Sequence, residues 1–549
     1  MKWEILGKLI TNNLKLITKT LLANRGIKTK EQTEEFFNPT RPEKLSLKEL
    51  GISETEIKKA IKRIKEAKRK KEKVIVYGDY DADGICATAI LWECLYSLGL
   101  NVLPYIPERF SEGYGLNIES IKKLKEKDPD LSLILTVDHG IVAGKKVDLA
   151  KELGISIIIT DHHERGKTTP KAYAIIHTTK ISGSAVAWIL ARELGSLSGL
   201  ELAGVGTISD QLPLIGANRS VAKYGLEALN QTKRPGLLAL FEESGITPLR
   251  QGFAGRVGTY EVGYIIAPRI NAMGRLTHAI DSLRLLCTKD KKRARELADL
   301  VGRTNFERQK MVDQVMVTTL SEMKIESKGY KNKVIIMAGD YHEGVIGLAA
   351  AKLVEKFYRP VVVLSKKKDI SKASARSIAG FNIIKVIRKL EGLYLEGGGH
   401  PMAAGFSIET SKIEEFTKRI NEISKPLLTE EILSRKLRVD LELDFNQINP
   451  ELVERINKFE PTGLGNFAPL FITKKVEIVE ARTVGRDNAH LKLKLRKKDV
   501  IFDAIAFGLA KTYSLLPNTY LDIVYSIEEN IWNNHTNLQL KIKDLKYKT

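Results

Sequence analysis

The stretch Val74-Ile75-Val76-Tyr77-Gly78-Asp79-Tyr80-Asp81-Ala82-Asp83-Gly84 decides how this chain is read: an apolar, β-branched run ends in three alternating carboxylates. Two further apolar runs, Leu131 to Val137 and Ile155 to Thr160, end the same way, in Asp138 and in Asp161-His162-His163. Helix-length segments separate the three runs, which is the pattern of buried parallel strands in an α/β sheet. Ligands of such sheets bind beyond the carboxyl ends of the strands, so Asp79, Asp81, Asp83, Asp138, His162 and His163 are expected on one rim. Carboxylates gathered that closely require cations. Oxygen-rich ligation with one or two imidazoles suits Mn²⁺ or Mg²⁺, and a pair of such ions is a standard device for hydrolysing phosphate esters. A single Asp in such a place is often only a turn or helix-capping residue. Acids or histidines at several strand ends together are what point to a site.

Charge and composition agree with this chemistry without specifying it. The 549 residues are enough for about four domain-sized units. Lys and Arg total 88 against 67 Asp and Glu, a net charge of +21, which favours polyanionic partners and salt-dependent binding. The Lys-rich run from Lys58 to Lys73 reads first as the solvated face of a helix. Cys86, Cys94 and Cys287 lack any Cys-x-x-Cys spacing, so they are expected as small hydrophobes in a reducing compartment, with no disulfide framework. The start Met1-Lys2-Trp3-Glu4 carries no apolar signal region, and no window approaches a membrane span. The expectation is a soluble, cytoplasmic protein with no membrane contact.

The pattern shifts several times along the chain. Residues 1–50, polar and carrying Pro39 and Pro42, read as a helical N-terminal extension packed on the catalytic unit. From 51 to 285 strands and helices alternate, with a helix from Ile85 to Leu98 stopped by Gly99 and a strand from Val102 to Ile106. Lys289 to Glu326 contains no Pro and sets Leu297, Leu300, Val301, Val312, Val315, Met316, Leu320 and Met323 on a helical repeat, which predicts a long connecting helix over 286–328. Apolar runs at Val334 to Met337 and Pro360 to Leu364 flank a helical pattern from Val345 to Phe357, predicting a second, smaller α/β domain over 329–425. From 436 to 549, alternating runs such as Leu491, Leu493 and Leu495 and the turn Gly485-Arg486-Asp487-Asn488 predict a small all-β barrel. There Phe467, Phe471, Lys474 and Lys475 are candidates for nucleic-acid contacts, although core packing is the commoner fate of an aromatic.

The acidic motifs also carry a family resemblance. Asp79-Tyr80-Asp81-Ala82-Asp83-Gly84, Thr136-Val137-Asp138, Thr160-Asp161-His162-His163 and Gly206-Thr207-Ile208-Ser209-Asp210 resemble the four signature motifs of the DHH phosphoesterase superfamily. Within it, Arg109-Phe110-Ser111-Glu112-Gly113-Tyr114-Gly115, Ala267-Pro268-Arg269-Ile270-Asn271-Ala272-Met273-Gly274-Arg275 and Gly398-Gly399-His400-Pro401-Met402-Ala403-Ala404-Gly405 are similar to the RecJ family of single-strand-specific exonucleases. The likeness runs nearly end to end.

The resemblance implies an α/β architecture: a parallel-sheet DHH catalytic domain, a connecting helix, a smaller substrate-gripping domain and a C-terminal OB-like barrel. It implies that Asp81, Asp83, Asp138, His162 and Asp210 hold two Mn²⁺ or Mg²⁺ ions. Asp79 would be a ligand or orient the attacking water, and His163 would ligate or assist proton transfer. Arg109, Arg269, Asn271 and Arg275 would handle the strand near the metals, with Ser374, Arg376, Gly398, Gly399 and His400 gripping phosphate. The implied activity is 5′-to-3′ hydrolysis of single-stranded DNA to mononucleotides in recombination and repair, by a monomer working with a helicase and a single-strand-binding protein. Its alternatives are a superfamily phosphoesterase acting on short oligonucleotides or RNA, and a non-catalytic replication scaffold. Three departures from the family pattern, His139, Gln211 and His177-Thr178-Thr179, leave every implied ligand in place.

Overall fold

The computed structural model describes residues 1–7, 13–246, 257–322, 332–510, 513, 517–532 and 535–547. They fall into two units, Glu4–Gly302 with Arg438–Thr549, and Arg303–Leu437 with Met1–Trp3. Strand β1 (Lys2–Gly7) opens the chain. The sheet that carries the acids follows: β2 (Lys73–Tyr77), β3 (Asn101–Tyr105), β4 (Leu131–Val137), β5 (Ser156–Asp161) and β6 (Ala174–His177), all parallel in the order β3-β2-β4-β5-β6. Successive side chains of a strand point to opposite faces. Val74 and Val76 accordingly join one core with the helices Ala82–Ser97 and Gly183–Glu193, while Ile75 and Tyr77 join another with Ile121 and Val147. A strand covered on both faces has no polar side to show, which is why β2 reads as an unbroken apolar run.

The helix after β2 begins at Ala82, three residues before the expected Ile85, because Asp81 is its cap: the Asp81 carboxylate accepts the Gly84 amide at 3.0 Å. Asp83 thereby falls in the first turn of the helix instead of in a loop. The helix ends at Ser97, and Gly99 follows in the left-handed region at φ 80°. The long helix runs Lys291–Glu322, with Leu297, Ala298 and Val301 in the catalytic core. Met323 and the expected continuation to 328 lie outside the described residues.

The second unit holds a mixed sheet of β7 (Ile335–Gly339), β8 (Val361–Ser365), β9 (Ile370–Arg376), β10 (Glu396–His400) and β11 (Ala403–Glu409), in the order β10-β11-β9-β8-β7. Its one parallel pair, β7 and β8, is joined through the helix Glu343–Phe357, the crossover that parallel strands need.

At the C-terminus, β12 (Lys436–Glu442) leads into β13 (Phe471–Val484), β14 (His490–Lys497), β15 (Val500–Ala506), β16 (Tyr520–Trp532) and β17 (His535–Tyr547). Because β13 pairs with both β14 and β16, the sequence β13-β14-β15-β17-β16 closes into a five-stranded barrel. Leu491, Leu493, Leu495, Val476 and Ile478 fill it.

The N-terminal segment differs from the expected helical extension on the catalytic unit. β1 is a strand beside β12, its Lys2 and Glu4 exposed and Trp3 and Ile5 half-buried in the alternation a strand imposes. The helices Leu14–Ala23 and Lys30–Phe37 bury Ile17, Leu21, Leu22 and Phe36 in the barrel's core, whereas Leu45 and Leu50 enter the catalytic core. Among the described residues no helix is long and apolar enough to cross a membrane.

Candidate active site

Three strand ends deliver the acids, and a helix end adds a fourth. Asp79 and Asp81 leave β2, and Asp83 turns inward to accept the amides of Gly183 at 2.7 Å and Ser184 at 3.1 Å, capping the helix Gly183–Glu193. Asp138 follows β4 at φ 65°, a left-handed conformation that Asp tolerates better than most side chains, with its amide donating to the Thr160 carbonyl at 3.0 Å. His162 follows β5, and Asp210 closes the helix Leu200–Ser209. Close approach explains Gly206: a Cβ there would collide with the Asp83 carboxylate.

These groups form three overlapping sets of potential ligand atoms, each set within 4.8 Å of one another: Asp138 with His162 and His163, Asp83 with His162 and Asp210, and Asp79 with Asp81 and Asp138. Asp138 and His162 each belong to two sets. His162 Nε2 lies 3.1 Å from Asp138 Oδ1, 3.6 Å from Asp210 and 3.9 Å from Asp83. The next residue is held differently. His163 Nδ1 meets Asp161 Oδ1 at 2.8 Å, and its Nε2 lies 3.2 Å from the Tyr114 hydroxyl, which donates to the Asp138 carbonyl at 3.1 Å. Asp161 itself is sealed in by the amides of Ile141, His162 and His163. It is an anchor for His163, a role its place in the motif did not assign.

Burial, and then mutual repulsion, pushes Asp79, Asp81 and Asp138 above the usual carboxylate range, and the same causes push Asp210 up to about 8. Burial also lowers His162, keeping it a neutral imidazole with a lone pair to offer. For His163 burial works against protonation, but the Asp161 pair outweighs it and raises its value. Asp79 Oδ1 and Asp138 Oδ1 are buried and accept no hydrogen bond among the described residues. Crowded carboxylates, a neutral imidazole and orphaned buried oxygens suit a hard divalent cation such as Mn²⁺ or Mg²⁺. The same repulsion makes a stability prediction. A carboxyl whose folded value is raised favours folding while protonated, and that contribution fades as pH climbs from the ordinary carboxylate range through about 8. In chelator, the thermal midpoint should therefore fall by several degrees more across that range than it does with Mn²⁺ present. Equal slopes in scanning calorimetry with and without Mn²⁺ would remove the cluster as a cation site.

Other expected site residues divide between the two units. Near the acids, the Arg109 guanidinium lies 5.0 Å over the Tyr80 ring, and the loop that carries it is closed by Glu112, which accepts from the Tyr105 and Ser120 hydroxyls and the Glu108 amide. Asn271 Oδ1 accepts the Ala82 amide at 2.8 Å, so it buttresses the acidic loop, and Arg275 stabilises the ionised Asp81 through its charge. Arg269 Nε donates to Glu243 at 2.7 Å and its Nη1 to the Ile265 carbonyl, so an ion pair and a helix carbonyl hold its guanidinium in place. In the second unit the register aligns Arg376 with Ala403 and His400, and Ser374 with Gly405 and Gly398, so residues distant in sequence share one sheet, with Gly399 between. Arg376 Nη1 donates to Ser374 Oγ at 3.2 Å. Of the departures, His139 bonds the Tyr77 carbonyl at 3.0 Å and His177 holds the His163 carbonyl at 2.7 Å, both supporting the rim from behind. In the barrel Phe471 is core, Lys474 pairs with Glu442, and Phe467 alone of the two aromatics is exposed.

A parallel sheet with this acid and histidine rim defines the DHH class of phosphoesterases, and the DHH family N-terminal domain matches residues 73–205. The DHHA1 domain matches 331–425 and the RecJ OB domain 439–544. The single-stranded-DNA-specific exonuclease RecJ of Bacillus subtilis is 36% identical over 99% of this chain and 70% of its own length, and that of Haemophilus influenzae is 30% identical over 88% and 90%. The crystal structure of RecJ in complex with Mn²⁺ from Thermus thermophilus superposes with a TM-score of 0.82 at 29% identity, covering 100% of this chain and 80% of that one. The chain belongs to the RecJ family.

Proposed function

We propose that this protein is an exonuclease that hydrolyses the phosphodiester bonds of single-stranded DNA, entering at a free 5′ end and releasing mononucleotides. The observation that carries the reading is the set of three overlapping ligand groups sharing Asp138 and His162. Asp81, Asp83, Asp138, His162 and Asp210 would hold two Mn²⁺ or Mg²⁺ ions, with Asp79 completing the set or orienting the attacking water. Such ions, when bound, lower the pKa of water and neutralise charge developing on the phosphoryl oxygens. The protein's own groups then do the positioning. Asp161 fixes the His163 ring, leaving Nε2 beside Tyr114 to hold or pass a proton at the rim. Arg109 and Arg275 offer positive charge to the phosphate backbone, and Ser374, Arg376 and His400, with the backbone of Gly398 and Gly399, offer donors to a terminal phosphate.

Asp161→Asn keeps the shape of the anchor but loses its charge, and should lower kcat or Mn²⁺ affinity about 10- to 100-fold. Steady-state rates across a Mn²⁺ titration check this, and wild-type values in both would detach Asp161 from the chemistry. The reading as a whole is tested by offering linear single strands, circular single strands and blunt duplex with Mn²⁺ or EDTA. Only the linear single strand with Mn²⁺ should be consumed; cutting of the circle would make the enzyme an endonuclease. The family's setting in recombination and repair suits a cytoplasmic monomer that follows a helicase and meets single-strand-binding protein.

A further inference from the structure

Tyr264 is 73% exposed, more than any other large hydrophobic side chain among the described residues, and Tyr260 is 62% exposed. Their rings stack on each other, with centroids 5.1 Å apart and planes 26° apart. The backbone accounts for the pairing. Glu261–Ile266 is π-helical, with Tyr260 as its cap, and the wider turn stands residues four apart nearly one above the other. Such segments are rare and concentrate at functional sites. This one runs unbroken into the helix Ala267–Leu276. There Asn271 holds the Ala82 amide, and Gly274 packs so closely on the Tyr80 carbonyl that a Cβ would stand 2.6 Å away. The tyrosines are thus tied to the acidic loop by one continuous helix, Tyr264 about 10 Å and Tyr260 about 16 Å from Asn271 along its axis at 1.5 Å per residue. Those distances equal roughly three to five stacked nucleotides at 3.4 Å each.

We propose that Tyr260 and Tyr264 form a base-stacking subsite for single-stranded DNA, gripping the strand a few nucleotides from the bond that is cut. The proposal rests on the exonuclease reading and adds a place where the uncut strand is held. An aromatic ladder suits a nuclease that must accept any sequence, because every base has a π face. The occupant is a polyanion and not an apolar protein face: the chain carries a net +21, and the helix that presents the pair also carries Arg275, whose charge reaches Tyr80 and Asp81.

The test compares cleavage of a dinucleotide and of a twenty-nucleotide single strand by wild type, Tyr260→Ala/Tyr264→Ala, and Tyr260→Phe/Tyr264→Phe. Tyr96→Ala serves as control, since Tyr96 is likewise exposed and stacked, on Trp92 at 5.5 Å, but lies toward the far end of the helix whose first turn holds Asp83. The double Ala variant should raise KM for the long strand about 10- to 100-fold with kcat unchanged. Dinucleotide cleavage should stay at wild-type rates, the Phe pair should restore binding, and Tyr96→Ala should change nothing. An unchanged KM for the long strand, or an equal loss on both substrates, overturns the subsite. If wild type cleaves neither substrate, the exonuclease reading fails on its own. Quenching of a 2-aminopurine placed third from the 5′ end, measured in EDTA, still decides the subsite: quenching lost in the double Ala variant upholds it, and no difference overturns it.

Discussion

Asp138→Asn should reduce hydrolysis by about a thousandfold or more while leaving the fold intact. The rate estimate follows from the several kcal/mol that cation binding contributes to stabilising transition-state charge, at about 1.4 kcal/mol per factor of ten. The fold should persist because the substitution is nearly isosteric and Asn also tolerates the φ of 65° found here. The backbone bonds of residue 138, its amide to Thr160 and its carbonyl from the Tyr114 hydroxyl, do not involve the side chain. A second sign distinguishes this variant from a merely damaged protein. Removing one carboxylate from beside Asp79, Asp81, Asp83 and Asp210 relieves repulsion, so the metal-free variant should melt no lower than metal-free wild type. Activity within tenfold of wild type would take Asp138 out of the catalytic set.

Arg219→Ala should be the most destabilising single change in the first unit, costing on the order of 4–5 kcal/mol. Arg219 is fully buried between the catalytic core and the barrel. Its Nε donates to the Phe36 carbonyl at 2.6 Å, Nη1 to Phe459 and Pro461 at 3.0 Å each, and Nη2 to Glu460 at 2.8 Å and Lys458 at 3.3 Å. The guanidinium also lies 3.9 Å over the Phe36 ring. Burial depresses its pKa to about 10, still charged at neutral pH. Truncation strips a donor from five carbonyls at once and leaves a void among them. Lys cannot replace it, because one ammonium cannot span the fork. In a denaturant titration the first transition should move to markedly lower concentration, and limited proteolysis should release the C-terminal barrel. A loss within about 1 kcal/mol would mean that the barrel is held by other contacts.

How much of this was legible follows from which interactions are local. Leu131–Val137 was bounded correctly because a strand buried on both faces is apolar throughout and stops where polarity begins. The rim was legible for a related reason: acids immediately after such strands have one place to go. The start of the helix at Ala82 was not, since Asp81 can be read as a loop ligand or as a cap, and it caps. The ion pair of Arg269 with Glu243, which lies on another helix, is likewise beyond what spacing reveals. β1 escaped notice because six residues with three half-buried side chains weigh little against the polar composition around them. The barrel itself was legible from its short alternating runs, although the pairing of β13 with β16 that closes it is long-range. Asp161, Tyr114 and His177 act through hydrogen bonds to backbone or to a neighbouring ring, contacts that residue identity alone does not announce.

The most direct test of the central claim is a time course of digestion of single-stranded DNA labelled in turn at the 5′ and at the 3′ end, with Mn²⁺ and with EDTA. A single-strand exonuclease entering at the 5′ end should release the 5′ label as mononucleotide from the first time points, keep the 3′ label in long products, and do neither in EDTA. Early release of the 3′ label would contradict the polarity, and binding of the strand without cleavage in Mn²⁺ would contradict catalysis itself.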